Sequence, residues 1–132
     1  RSRATSNICT NQGLMATAST IYMSLMGASG LREVANNCNA NTRKLLSELT
    51  RLPGVERAFA APVFNEAVIT IDQPVAPVLQ ALSAQGIIGG YDLSVDYPEL
   101  GNALLVCATE VISDADITAF ADALGGILGG AS

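Results

Sequence analysis

Between residues 13 and 27 the hydrophobic positions follow no single stripe. Leu14, Met15, Ala16, Ala18, Ile21, Met23, Leu25 and Met26 fall all round a helical wheel. A helix that is apolar on every side is a buried one, and a chain this short has trouble enclosing it alone. The pattern therefore predicts a buried first helix and points to a missing partner. Gly27 and Gly30 flank a predicted break. From 31 to 52 the period becomes regular. Leu31, Val34, Ala35, Cys38, Leu45, Leu46, Leu49 and Leu52 recur at three- and four-residue steps, while Arg32, Glu33, Asn36, Arg43, Lys44 and Glu48 lie largely elsewhere. This is an amphipathic second helix, ended by Pro53-Gly54.

Beyond Gly54 the period changes to that of strands. Residues 55–60 and 67–71 are short β-prone runs that predict an antiparallel pair. Asp72 and Pro74 open a helix whose apolar face is Val75, Val78, Leu79 and Leu82, and Gly86 stops it. IIGGYDLSV predicts a turn and a short strand, and ALLVCA, residues 103–108, a fully apolar strand. Ser113 with Asp116 forms an S-x-x-D start. The last amphipathic helix follows on Ile117, Phe120, Ala121, Leu124, Ile127 and Leu128, with the tail GGILGGAS expected to fray. The order α-α-β-β-α-β-β-α places strands in adjacent pairs. It predicts an α+β fold: a helical N-terminal part, then a mainly antiparallel sheet with helices on one face. There is no repeat and no linker long enough to split the chain, so residues 1–132 are expected to form one domain.

Composition narrows the function. Of 132 residues 49% are hydrophobic and 14% charged, which excludes a disordered chain. Twelve acidic residues against seven basic ones give a net charge of −5, and aromatics are only 5%. That argues against nucleic acid and anionic membrane surfaces as partners. There is no histidine, so Ser-His-Asp and Cys-His catalysis and HExxH zinc sites cannot be built from this chain. Cys9, Cys38 and Cys107 are odd in number and widely spaced, which fits a reducing cytoplasm better than a disulfide framework or a zinc site. No signal-peptide pattern is visible. The apolar stretch 13–26 is broken by Thr17, Ser19, Thr20 and Ser24, and is shorter than the roughly 20 residues a bilayer span needs. A start at Arg1 rather than Met leads us to expect a piece of a longer protein.

Candidate chemistry is sparse. Residues 5–12, Thr-Ser-Asn-Ile-Cys-Thr-Asn-Gln, are dense in hydrogen-bonding side chains and precede a helix start, where Thr10 or Asn11 is placed to cap. Such a position favours anions, because free N–H groups and the positive end of the helix dipole converge there. The segment reads either as the lining of a polar pocket or subunit interface, or as capping plus a loose terminus. Cys9 has no His or Lys beside it to lower its pKa. Cys38 and Cys107 lie in apolar runs and read as packing residues. The turn Gly86-Ile87-Ile88-Gly89-Gly90 follows a helix rather than opening one, so it reads as a tight turn and not a dinucleotide site. Asp92, Asp96 and Glu99 form a short acidic cluster, most simply solvated loop carboxylates. Lys44, the sole lysine, stands beside Arg43 on a polar helix face and makes a poor catalytic amine.

One resemblance goes further. Ala4-Thr5-Ser6-Asn7-Ile8-Cys9-Thr10-Asn11-Gln12 resembles a signature of the glycine cleavage system P-protein family, the decarboxylating glycine dehydrogenases. It is most similar to subunit 1, the alpha subunit, of the two-subunit bacterial form. The similarity continues through Gly30-Leu31-Arg32-Glu33-Val34-Ala35, Gly86-Ile87-Ile88-Gly89-Gly90-Tyr91-Asp92-Leu93, Tyr97-Pro98-Glu99-Leu100 and Leu105-Val106-Cys107-Ala108-Thr109-Glu110 to the closing helix. It thus spans essentially the whole chain.

The resemblance implies a fold of the pyridoxal-phosphate-dependent aminotransferase type (fold type I), of which this chain is the small C-terminal part. It implies an oxidoreductase of glycine catabolism that decarboxylates glycine on pyridoxal phosphate and passes the aminomethyl group to lipoylated H-protein. The two-subunit form implies a cytoplasmic heterotetramer in which subunit 2, the beta subunit, carries the cofactor lysine. The 132-residue chain alone is then expected to be inactive and to bind no pyridoxal phosphate and no metal. Residues 1–12 become an extended interface segment, with Thr5, Ser6, Asn7 and Thr10 helping to position cofactor phosphate or substrate across that interface. Cys9 is given no chemistry. Arg3 stands where the family more often has lysine, which keeps the charge. Gly13 replaces a larger residue and loosens the first helical turn by roughly 1 kcal/mol relative to Ala. The alternative is a stand-alone α+β domain for small-molecule sensing or dimerisation through its first helix.

Overall fold

A computed structural model describes residues 12–130. They fall into two compact units that meet in sequence between Glu33 and Val34.

The first unit is helical. Helix α1 (Gly13–Leu49) starts here, with the amide of Ala16 donating to the carbonyl of Gln12 at 2.8 Å. Gly27 interrupts the helix with φ 62° and ψ −176°. Only glycine adopts such a conformation without strain, so the predicted break falls at this residue. Gly30 is helical instead. A Cβ there would sit 3.2 Å from the Met26 side chain. The burial expected for residues 13–26 is not seen among the described residues. Leu14 and Leu25 are both 82% exposed, and Met15, Ile21, Tyr22 and Met23 are about half exposed or more.

The second unit holds the core. The later half of α1 is amphipathic as its spacing requires, burying Cys38, Thr42, Leu45, Leu46 and Leu49. Strands β1 (Val55–Arg57) and β2 (Glu66–Ile71) pair antiparallel, with Val55 opposite Ile71. Helix α2 (Val75–Ala84) follows with Pro74 at its N-cap. Strand β3 (Tyr91–Asp92), a 3-10 turn at Pro98–Leu100 and strand β4 (Ala103–Cys107) come next. The turn was not predicted, because three residues are too few to show a period. Helix α3 (Asp114–Gly129) closes the chain. The sheet order is β1-β2-β4-β3, and every pairing is antiparallel.

One face of this sheet is covered. Ile69 and Ile71 of β2 and Leu104 and Val106 of β4 pack with Leu45, Leu46 and Leu49 of α1, Val75, Val78 and Leu82 of α2, and Ile117 and Leu124 of α3. The α+β architecture with helices on one sheet face is therefore as the periodicity predicts. The tail differs. α3 continues to Gly129 because Ile127 and Leu128 pack against the core, and Gly125 lets the helix approach Leu52 closely.

Three polar contacts pin α1 to the chain beyond β4. Thr42, fully buried, donates its hydroxyl to the carbonyl of Ala108 at 3.0 Å. The Asn41 amide donates to the carbonyls of Thr109 and Ile112, both at 2.9 Å. At the start of α3, Ser113 and Asp116 form a capping box. The Ser113 amide and hydroxyl donate to the Asp116 carboxylate at 2.9 and 2.6 Å, and the Asp116 amide donates back to the hydroxyl at 3.2 Å. These side-chain and backbone bonds from Ser113 hold the Asp116 carboxyl below its ordinary range, with partial burial opposing them.

Two predictions follow from these contacts. Thr42→Val keeps the shape but leaves the buried Ala108 carbonyl without its donor, so urea melts should show a loss of about 1–3 kcal/mol. A change below a few tenths of a kcal/mol would show that the bond contributes nothing net. Asp116 has a lowered folded-state pKa, so its stabilisation is present above the unfolded carboxylate range and is lost as pH falls through the folded value. Asp116→Asn should therefore lower Tm at neutral pH, and the gap to the parent should close in acid. A gap that stays constant with pH would refute the charge-based account.

Candidate functional site

The residues expected to carry the site, Thr5, Ser6, Asn7 and Thr10, lie outside the described residues, as do Cys9 and the capping candidate Asn11. The other candidates are all described, and their geometry assigns most of them structural work.

Cys38 is buried on α1, and its Sγ lies 3.3 Å from a Glu110 carboxylate oxygen. Burial pushes its thiol pKa up, and the hydrogen bond to Glu110 adds to this. It is a protonated packing residue and no nucleophile at neutral pH. Cys107 was expected to pack but is exposed. Strand side chains alternate, and Val106 takes the core face, so Cys107 points to the opposite one.

Lys44 reaches Asp114 at 2.5 Å in an exposed pair at the start of α3. Its ammonium is engaged by a carboxylate, with no apolar pocket to free it. Among the described residues no buried side-chain nitrogen or oxygen lacks a partner. The described residues therefore do not fit a covalent pyridoxal phosphate site, and no catalytic step is assigned to them.

The glycine turn is explained by packing. A Cβ on Gly89 would lie 2.5 Å from Leu82, and one on Gly90, at φ 139°, would lie 2.2 Å from the Leu105 carbonyl oxygen. These contacts seat the turn on α2 and β4. Two of the three carboxylates of the acidic cluster are engaged locally. Asp92 accepts from the amide and hydroxyl of Ser94 at 2.9 and 2.6 Å, and Asp96 accepts from the Tyr91 hydroxyl at 2.7 Å. That bond to a carboxylate raises the Tyr91 pKa. Among the described residues no three His, Cys, Asp or Glu side chains gather to hold a metal ion.

Two concavities in the second unit escaped the sequence reading. A groove of about 760 Å3 is lined by Asn39, Arg43, Ser47, Thr50, Glu56 and Arg57, among others. The Arg57 guanidinium donates to the Ala61 carbonyl, and Arg43 and Glu56 also line the groove. A more apolar recess of about 380 Å3 lies beside Ile87, Ile88, Gly90, Tyr91, Cys107 and Phe120. Both draw residues from distant parts of the chain, so no local spacing announces them. Among the described residues no helix is long and apolar enough to cross a membrane.

Comparison with known proteins gives the context. The family described as "Glycine cleavage system P-protein" matches residues 1–124. A protein of Legionella pneumophila strain Paris, described as a probable glycine dehydrogenase (decarboxylating) subunit 1, is 57% identical over 94% of this chain and 27% of its own length. Relatives of the same description from Nitrosospira multiformis and Coxiella burnetii are 55% and 50% identical, over 97% and 94% of this chain and 28% of each relative. A crystal structure of glycine decarboxylase (P-protein) of the glycine cleavage system, in inhibitor-bound form, superposes with a TM-score of 0.85 at 34% identity. It covers 97% of this chain and 29% of that one. The chain thus spans just over a quarter of the length of the curated relatives it matches. With the predicted α+β order matched by this superposition and the signature segment inside the matched range, the chain belongs to the glycine cleavage system P-protein family.

Proposed function

We propose that residues 1–132 are the C-terminal portion of subunit 1 of a two-subunit, cytoplasmic glycine dehydrogenase (decarboxylating). The whole enzyme releases the carboxyl group of glycine and passes the aminomethyl group to the lipoyl arm of H-protein. Pyridoxal phosphate, carried on a lysine of subunit 2, supplies the electron sink for that decarboxylation. The observation that carries this reading is the 57% identity to a relative so described, over nearly the whole chain.

The chain's own chemistry supports the division of labour. Its sole lysine is bound to Asp114, its described cysteine on α1 is a buried thiol, and it has no histidine. Its contribution to the reaction is therefore positional. Thr5, Ser6, Asn7 and Thr10 offer hydroxyl and amide groups ahead of a helix start, a setting that suits a phosphate or carboxylate. We assign residues 1–12 to the interface with subunit 2 on that ground. The chain by itself is inactive on this reading.

The test uses full-length subunits 1 and 2 with lipoylated H-protein and carboxyl-labelled glycine. Label should be released as carbon dioxide only when both subunits are present. Asn7→Ala should reduce kcat/KM by roughly tenfold or more if its amide positions a reacting group. Lys44→Ala should leave turnover unchanged, because an exposed ion pair contributes at most about 1 kcal/mol to stability. Loss of turnover in Lys44→Ala, or release of label by subunit 1 alone, would overturn the assignment.

A further inference from the structure

The first half of α1 has a surface unsuited to water. No charged residue occurs between Arg3 and Arg32. Leu14, Ile21 and Leu25 fall on one side of the helix, Met15 and Tyr22 about a quarter-turn away, and Met23 on the far side. All six are about half exposed or more. Three of the five hydroxyls in this stretch do little to relieve the mismatch. Thr17 donates to the carbonyl of Gly13 at 2.9 Å, Thr20 to that of Ala16 at 2.8 Å, and Ser24 to that of Thr20 at 2.7 Å. Each donor is turned back onto its own helix, so burying these side chains strands no hydroxyl proton. The stretch is built to be enclosed.

We propose that residues 13–26 are enclosed by the remaining, larger part of the same subunit 1 polypeptide. This rests on the reading of the chain as part of subunit 1. Two observations select that occupant over a second copy or subunit 2. Helices that pair side by side bury one stripe each, whereas here the apolar positions spread over most of the circumference and need a surrounding surface. The matched region is only 27% of a relative's length, so the polypeptide outside it is large enough to form that surface. Covalent attachment also gives it an effective concentration that no separate chain matches.

The experiment is hydroxyl-radical footprinting of full-length subunit 1, purified without subunit 2 and diluted until sedimentation shows a monomer. Met15, Tyr22 and Met23 should be oxidised at least about tenfold more slowly than in the urea-unfolded subunit. Adding subunit 2 should change nothing further. Oxidation at the unfolded rate overturns the proposal. So does protection that appears only with subunit 2, or only at concentrations where subunit 1 self-associates. Glycine decarboxylation by the same preparation, with subunit 2 and H-protein, tests the underlying reading separately. An active preparation with unprotected residues defeats the docking proposal alone. An inactive preparation with protected residues defeats the functional reading alone.

Discussion

Strand β4 enters the sheet between β2 and β3, and a shift of its register by one residue would turn Leu104 and Val106 out of the core. Leu105 and Cys107 would replace them. The molecule fixes that register from several directions. Ile69 lies opposite Leu104 on β2, and Tyr91 lies opposite Leu105 on β3. The missing side chain of Gly90 allows the turn before β3 to close on the Leu105 carbonyl. Thr42 and Asn41 hold the carbonyls just beyond β4 from the α1 side. Helix α3 packs on the face that this register creates, so its capping box begins where β4 and its loop deliver it.

Most of this was legible in the residues. The change from three- and four-residue spacing to short β-prone runs after Pro53-Gly54 marks where helix gives way to sheet. Single elements then follow from single signals: Pro74 before α2, Gly86 after it, Ser113 and Asp116 at α3. What escaped depends on contacts between distant positions. α3 outlasts its glycines because Ile127 and Leu128 find the core, and Gly125 admits Leu52. Cys107 sits in an apolar run yet faces outward, because a run without alternation does not say which neighbour owns the core. The start of α1 reads as buried from its all-round apolar wheel, yet its large side chains are exposed among the described residues, because a wheel pattern does not say what covers it.

The candidate site was legible in a different sense. Hydrogen-bonding density ahead of a helix start permits an anion site and equally permits ordinary capping. Nothing in the T-S-N-I-C-T string itself separates the two. Physical chemistry contributed mainly exclusions, and the described geometry sharpens them. Lys44 is held by Asp114, Cys38 by its burial and Glu110, and Asp92 and Asp96 of the acidic cluster by Ser94 and Tyr91. Cys107, by contrast, is exposed.

That distribution has a consequence for how such a chain contributes to an enzyme. A segment without a usable base, nucleophile or covalent anchor can still change rate through placement alone, since orientation of reacting groups carries many kilocalories of a barrier. Placement requires a rigid support. Residues 34–130 provide one: a sheet with one covered face, three helices sharing one core, and no buried polar atom left unpartnered among the described residues. Enclosing the uncharged start of α1 would remove from water an apolar surface that the second unit does not need for its own core.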